Sequence, residues 1–158
     1  LGSFLFYLPT GAAISPGSWI PLMLLALTYD WRLACVTGWV TGILAIFLIP
    51  AWAPVHWAQI FVEHLVAFSA LGYAGIFGSG KKGKVLAGVL LAILLRFMGQ
   101  MLSGVIFFSQ NAWDGWGAWG YSITYHLSCK IPEGIATTAI LLALPLNTIK
   151  NAIGGSRR

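Results

Sequence analysis

Charged residues are scarce in this sequence. Lysine, arginine, aspartate and glutamate make up 8% of the 158 residues, against about a quarter in a typical soluble domain. Hydrophobic residues make up 58%, and mean hydropathy is +0.83. This composition indicates an integral membrane protein rather than a soluble one. At this length, a chain that crosses a bilayer several times has no room for a soluble enzyme module.

Cysteine is scarce as well. Cys35 and Cys129 are the two cysteines of the chain. Both lie in apolar runs and lack metal-ligand spacing, so we expect neither a disulfide framework nor a zinc site. We interpret both as buried, inert thiols, and we expect no metal and no cofactor.

Long apolar runs separated by Gly, Pro and charge predict an all-α, polytopic membrane protein that forms a single domain over residues 1–158. The first run, 1–8, is too short to span, and we interpret it as the end of a helix whose beginning is missing, not as a signal peptide. With this partial helix the chain has about six predicted spans. The other spans lie at about 17–29, 31–50, 57–78, 83–108 and 117–148.

Positive charge falls on alternate loops. Lys81, Lys82 and Lys84 lie between the fourth and fifth spans, and strict alternation puts Arg32 and the C-terminal tail on the same side. The opposite loops, about 10–16, 50–56 and 109–116, contain no Lys or Arg. Because cytoplasmic loops collect positive charge, we expect loop 79–84 and the C terminus in the cytoplasm of a bacterial cell. Topology then explains the pI of about 9.5, and no nucleic-acid partner is expected.

The same basic loop contains a glycine-rich stretch, residues 78–84. It lacks the GxxxxGK[ST] spacing and the preceding strand of a nucleotide-binding phosphate loop. A plain basic turn is the favoured interpretation.

Four ionisable residues fall inside predicted spans: Glu63, Arg96, Lys130 and Glu133. Each costs at least ~2.5 kcal/mol in the middle of a bilayer, so such residues face a protein interior or a cavity. Lys130 and Glu133 are three residues apart and could pair with each other or with Arg96, which leaves structural pairing and ligand contact both open. Glu63 has no basic residue nearby in sequence and lies in the outer half of its helix. An unpaired outer carboxylate suits a cationic ligand.

The fifth span carries a polar face. Arg96, Gln100, Gly104 and Phe108 recur at intervals of four, so they follow one side of a helix from mid-membrane to the outer mouth. Gly104 would allow close approach of a ligand or, alternatively, of a neighbouring helix.

The last span carries a similar stripe, on which His126 lies at the depth of Glu63, so we predict that His126 contacts a ligand. Tyr121 and Tyr125 flank this stripe, and Pro132 is expected to kink the helix. The stripe consists of Ser122, His126, Cys129, Lys130 and Glu133.

The segment between these two spans, residues 107–121, is rich in aromatic residues and glycine. Interfacial aromatic belts account for part of it, because Trp and Tyr favour the headgroup zone. The density nevertheless predicts an aromatic cage over a carboxylate, which binds a flat or cationic organic ligand.

Several of these segments together resemble one family: the thiamine-specific substrate-binding subunits (S-components) of energy-coupling factor (ECF) transporters. The resemblance implies a six-helix S-component bundle, here with its first helix truncated, that captures thiamine with high affinity in an outward-facing pocket. It also implies three kinds of partner: an ECF transmembrane scaffold subunit, two cytoplasmic ATPase subunits and membrane lipid. The matching segments are Phe61–Phe68, Leu95–Phe108, Trp113–His126 and Gly38–Gly42, within a similar order of spans.

The resemblance also implies roles for individual positions. Glu63 is the acidic ligand to thiamine, and Arg96 matches a basic position of the family. Phe108 occupies a stacking position that is Trp in some members, and Tyr121 matches a pocket tyrosine. Gly104, on the same helix face as Phe108, completes this part of the predicted substrate-binding site.

Three positions of the predicted site depart from the family. His64 stands where the family has Tyr, Gln100 where His is common, and His126 where the family has Asn. We include all three in the site. These departures leave open an S-component for another vitamin or for hydroxymethylpyrimidine, a precursor of thiamine.

Two other classes of protein remain as alternatives. A small intramembrane enzyme would use His126, Cys129, Lys130 and Glu133, but no base and orienting partner are recognisable by spacing, so we expect no enzyme and no catalytic residue. A purely structural membrane subunit is the other alternative. Stoichiometric binding of an unmodified ligand would separate all three classes.

Overall fold

The computed structural model describes residues 6–7, 13–14, 17–48 and 54–155, which are almost entirely helical. A short antiparallel pair comes first, β1 (Phe6–Tyr7) with β2 (Ala13–Ile14). The longer helices are α1 (Ile20–Thr28), α2 (Trp31–Leu48), α3 (57–75), α4 (Lys82–Phe107), α5 (Ala118–Ala143) and α6 (Leu146–Gly155), and a 3₁₀-helical turn (Ser109–Asn111) follows α4. The prediction of an all-α protein is confirmed.

Local sequence sets several helix ends. The Asp30 carboxylate accepts a hydrogen bond from the Leu33 amide (2.8 Å) and caps α2, and the His56 Nδ1 accepts one from the Ala58 amide (3.1 Å) and caps α3. Pro132 lies within α5, which continues past it as one helix. The chain bends by 67° further on, between α5 and α6, where Pro145 follows the last residue of α5 by two positions.

Helix lengths refine the predicted spans. Among the described residues, α2 and α4 are long and apolar enough to cross a membrane, and α5 with α6 would make a third span if the bent pair counts as one. The predicted span 17–29 is too long, because α1 has nine residues and rises only about 14 Å, half the hydrocarbon thickness. The predicted helix 1–8 is wrong at residues 6 and 7, which form strand β1, and its other residues lie outside the described ranges.

The third helix, α3, lies at the centre of the bundle and is irregular. It begins as an α-helix (Trp57–Gln59), widens to a π-helix (Ile60–Val66), returns to α-helical geometry (Ala67–Ser69) and ends as a 3₁₀-helix (Ala70–Gly75). Helices α1, α2 and α4 all pack against it. The core includes the fully buried side chains of Met23, Leu71, Val89 and Leu141.

Glycines bring the neighbouring helices close to α3. A Cβ at Gly42 of α2 would collide with the backbone carbonyl of His64, and one at Gly88 of α4 would collide with the carbonyl of Ala74. Backbone contact of this kind is typical of membrane helices, where small residues at the interface permit close packing. These contacts therefore fix the distance of α2 and α4 from α3.

Candidate ligand-binding site

The carboxylate of Glu63 lies on the π-helical part of α3, a geometry that is often found at functional sites. Its Oε2 accepts two hydrogen bonds, from Gln59 Nε2 (2.6 Å) and from Ser103 Oγ (2.8 Å). Within the described residues Oε1 accepts no hydrogen bond. Glu63 is half-buried, so one oxygen is fixed between α3 and α4 while the other remains available to a ligand.

Gln59 connects this carboxylate to the start of α3. The side chain is only 3% exposed, and its Oε1 accepts a hydrogen bond from the Val55 amide (2.8 Å). Beside it, the imidazole of His56 stacks on Phe107 at the end of α4, with ring centroids 5.6 Å apart and an angle of 21° between the planes. The entry to α3 and the exit from α4 therefore meet next to Glu63.

Helix α4 contributes a mostly polar face to the site. Ser103 is 1% exposed, and Gln100, one turn earlier, is 9% exposed. The amide oxygen of Gln100 has no hydrogen-bond partner among the described residues. A buried acceptor without a partner costs free energy, and a ligand that donates a hydrogen bond would relieve this cost.

Gly104 lies where α5 packs against α4. A Cβ at this position would collide with the Ser122 hydroxyl and would lie 3.1 Å from His126 Nε2. The Ser122 hydroxyl also donates a hydrogen bond to the Met101 carbonyl of α4 (2.7 Å). Gly104 therefore lies at a helix interface, which places the His126 ring beside α4, and its contact with a ligand stays a prediction.

An aromatic row leads from the α4–α5 loop to His126. It contains five rings in contact: Trp116 and Trp113 (5.1 Å between centroids), Trp113 and Tyr121 (5.2 Å), Tyr121 and Tyr125 (5.7 Å), and Tyr125 and His126 (5.3 Å). Gly115, at φ +79°, allows the turn that returns Trp116 onto Trp113. The sequence predicts an aromatic cage over a carboxylate; the structure shows a row of rings that ends at His126, and the cage itself stays a prediction.

Arg96 belongs to a buried cluster deeper in the bundle. Its guanidinium donates a hydrogen bond to the Ala67 carbonyl (3.0 Å) and lies over the rings of Phe68 (4.4 Å) and Trp19 (5.5 Å). These partners come from α3 and from the residue before α1. These contacts offset part of the free-energy cost of burying a cation in a membrane protein.

Lys130 and Glu133 complete the same cluster. The Lys130 ammonium forms an ion pair with the Glu133 carboxylate (3.1 Å) and lies over the Trp19 ring (5.3 Å). The Ser18 hydroxyl donates a hydrogen bond to the other oxygen of Glu133 (3.0 Å). The structural alternative for Lys130 and Glu133 is thus confirmed by their pairing.

The remaining predicted site residues lie at the edge of this arrangement. His64 is buried where α3 packs against Gly42 of α2, and Phe108 is half-buried just after the last residue of α4. Among the described residues, no group of three or more His, Cys, Asp or Glu side chains could hold a metal ion.

Sequence reasoning missed Gln59 and Ser103, the two donors to Glu63. A usable signal was present for both. Gln59 precedes Glu63 by four residues, and Ser103 follows Arg96 by seven, on the polar face of α4.

A hydrogen-bonded carboxylate with one available oxygen, close to an aromatic row inside a helical membrane bundle, is an arrangement suited to a small organic solute. Comparison with known proteins identifies the family. The family model described as "Thiamine transporter protein (Thia_YuaJ)" matches residues 4–153, and the chain belongs to this family. The resemblance inferred from the sequence is confirmed at this level.

Individual relatives agree with the family. The chain is 31% identical over 149 residues to the thiamine transporter ThiT of Bacillus subtilis (strain 168). The alignment covers 87% of this chain and 77% of the relative. The solved structure of ThiT from Listeria monocytogenes has the same fold, with a TM-score of 0.75 at 23% identity, over 87% of this chain and 80% of that one.

Proposed function

We propose that this protein captures thiamine with high affinity, as the substrate-binding subunit of an ECF-type importer, and delivers it unmodified. The observation that carries this proposal is the Glu63 carboxylate, which two hydrogen bonds hold through Oε2 while Oε1 stays available. The matching family, whose described relative transports thiamine, supports the choice of ligand.

Thiamine is a cation, since its thiazolium ring carries a permanent positive charge, and it also carries a flat aminopyrimidine ring. Glu63 would neutralise the thiazolium in a site partly shielded from water, where charge contacts are stronger than in bulk water. The aromatic row would stack on the rings and add cation–π attraction of up to about 2 kcal/mol. The unsatisfied amide oxygen of Gln100 would accept a hydrogen bond from the pyrimidine amino group.

The position of the site along α4 supports an outward-facing pocket. Ser103, which bonds Glu63, follows Lys82 by 21 residues, so the two positions are about 31 Å apart along the helix. This is the full hydrocarbon thickness of a bilayer. If the lysine-rich loop is cytoplasmic, as the distribution of positive charge favours, Glu63 opens toward the outside.

Equilibrium binding to purified protein tests the proposal. We expect thiamine to bind at one molecule per chain and to be recovered unchanged, as a binding protein requires and an enzyme would not. Conversion of thiamine, or the absence of saturable binding, would contradict the proposal. Titration with thiamine phosphates and hydroxymethylpyrimidine in parallel decides whether the departures at His64, Gln100 and His126 favour a different ligand.

The proposed partners need a separate experiment. The chain, coexpressed with an ECF scaffold subunit and its two ATPase subunits, should copurify with them and should import labelled thiamine into vesicles only when ATP is present. An ATPase variant that cannot hydrolyse ATP is the control. ATP-independent uptake by the isolated chain would contradict an ECF-type mechanism while leaving thiamine binding intact.

A further inference from the structure

A cleft of about 310 Å³ lies at the opposite end of α4 from Glu63. Its walls come from the loop before α4 (Ser79), the first turn of α4 (Lys82), and the start of α6 (Asn147 and Thr148). The chain bends by 67° between α5 and α6, next to the last of these walls. No part of the thiamine site reaches this cleft.

Ser79, which lines the cleft, has an unsatisfied hydroxyl. The residue is only 7% exposed, and its Oγ has no hydrogen-bond partner among the described residues. Buried hydroxyls in proteins are normally hydrogen-bonded, because an unmade bond costs free energy. This hydroxyl therefore indicates a ligand that accepts a hydrogen bond.

The start of α4 supplies further donors next to Ser79. Lys81, the residue before the helix, forms no side-chain cap, and its carbonyl accepts bonds from the amides of Lys84 (3.0 Å) and Val85 (3.1 Å). The amides of Lys82 and Gly83 thus have no partner within the helix. These free amides and the positive end of the helix dipole attract an anion, and the Lys82 side chain adds a formal charge.

The other side of the cleft is apolar. Leu141, Leu142, Leu144 and Leu146 line it, from the end of α5 to the start of α6. Leu141 and Leu146 are buried in the core, whereas Leu142 and Leu144 are partly exposed and present apolar surface to the cleft that a free phosphate or a nucleotide would not cover. Because α4 is long enough to span the bilayer, its first turn lies at headgroup depth, where a ligand with both a phosphate and an acyl chain is abundant.

We propose that this cleft binds the phosphate group of an anionic phospholipid. The phosphate oxygens accept hydrogen bonds from the Ser79 hydroxyl and from the Lys82 amide, while the Lys82 ammonium neutralises the charge. The start of the acyl chain packs against Leu142 and Leu144. The glycine-rich stretch 78–84 is therefore a lipid headgroup site rather than a nucleotide-binding loop or a plain basic turn.

Native mass spectrometry of the full chain, released from nanodiscs made of equal amounts of phosphatidylcholine and phosphatidylglycerol, tests this proposal. The wild type should retain phosphatidylglycerol in preference to phosphatidylcholine. Ser79→Ala and Lys82→Gln, tested separately, should each lower this preference, with a loss of about fivefold for Lys82→Gln, as expected for one basic residue near a membrane surface. Lys84→Gln is the matched control, because it removes the same charge from the same turn but does not line the cleft.

Three results would overturn the proposal. The first is a wild type without preference for the anionic lipid, and the second is an equal loss in Lys82→Gln and Lys84→Gln, which would indicate general charge attraction. The third comes from protein in pure phosphatidylcholine titrated with inorganic phosphate: saturable binding that disappears in Lys82→Gln, without any lipid preference, would assign the cleft to free phosphate. Circular dichroism and size-exclusion chromatography check that each variant is folded.

Discussion

Replacement of Glu63 by glutamine separates the charge of the proposed thiamine contact from its shape. The side chain keeps its size, and its amide oxygen can still accept hydrogen bonds from Gln59 and Ser103, which both bond to Oε2 in the wild type. The amide NH₂ then takes the position of Oε1 and presents a donor where a carboxylate oxygen would meet a cation. We therefore expect the variant to fold normally and to bind thiamine more weakly.

The size of the effect follows from the half-buried position of Glu63. Loss of one partner of a desolvated charge contact costs about 2 to 5 kcal/mol, and partial exposure to water places this contact at the lower end. A loss of about 2 kcal/mol raises the Kd for thiamine about 30-fold. Isothermal titration calorimetry in detergent measures this change directly. Hydroxymethylpyrimidine, which is neutral, should bind wild type and variant almost equally.

Asp114→Asn is the matched control for this experiment. Asp114 is an exposed acid in the aromatic loop, so the change removes the same charge without touching the hydrogen bonds of Glu63. Its Kd for thiamine should stay close to that of the wild type. An unchanged Kd in Glu63→Gln would remove Glu63 from the site, and an equal rise in both variants would show that only the overall charge of this end matters.

Three further predictions concern the helix contact, the topology and the aromatic row. Gly104→Ala should lower the midpoint of thermal unfolding, because overpacking against the hydroxyl on α5 costs about 1 to 3 kcal/mol, whereas Gly83→Ala, with nothing within 4 Å of its Cβ, should not lower it. Cysteine at the exposed position Gly80 should react with an impermeant maleimide only from the cytoplasm, and cysteine at Asn111 only from outside; the reverse pattern would overturn the orientation. Thiamine should quench tryptophan fluorescence less in Trp113→Phe than in the wild type if this ring contacts the ligand, and equal quenching with binding retained would place the signal elsewhere.

The fold was largely predictable because hydrophobicity alone defines long spans. The continuous apolar runs of α2 and α4 contain few charges, so their positions agree with the sequence to within a few residues. The short length of α1 was not apparent, because the apolar run around it continues beyond the helix. The π-helical geometry around Glu63 was not predictable either, since the run 57–78 has the same apolar character whether its hydrogen bonds are α-helical or π-helical.

Within the site, contacts between residues close in sequence were easier to predict than contacts between distant parts of the chain. The Lys130–Glu133 pair was one of the alternatives that the sequence offered, because its spacing is local. The surroundings of Arg96 were not, because Trp19 and Phe68 approach it from distant parts of the chain. Spacing along one helix indicates which residues share a face, but the partner of that face depends on how the other helices pack.

The backbone contact between α2 and α3 would let movement of one helix pass directly to the other. Gly42 lies directly against the carbonyl of His64, the residue next to Glu63, so no compressible side chain separates the two helices there. The opposite face of α2, which includes Val40, Leu44 and Phe47, is exposed and apolar. A partner that tilts α2 through this outer face would push on the His64 backbone and so displace the neighbouring Glu63. Helix α2 carries none of the proposed ligand contacts, yet this backbone contact would let it act as a lever on the site.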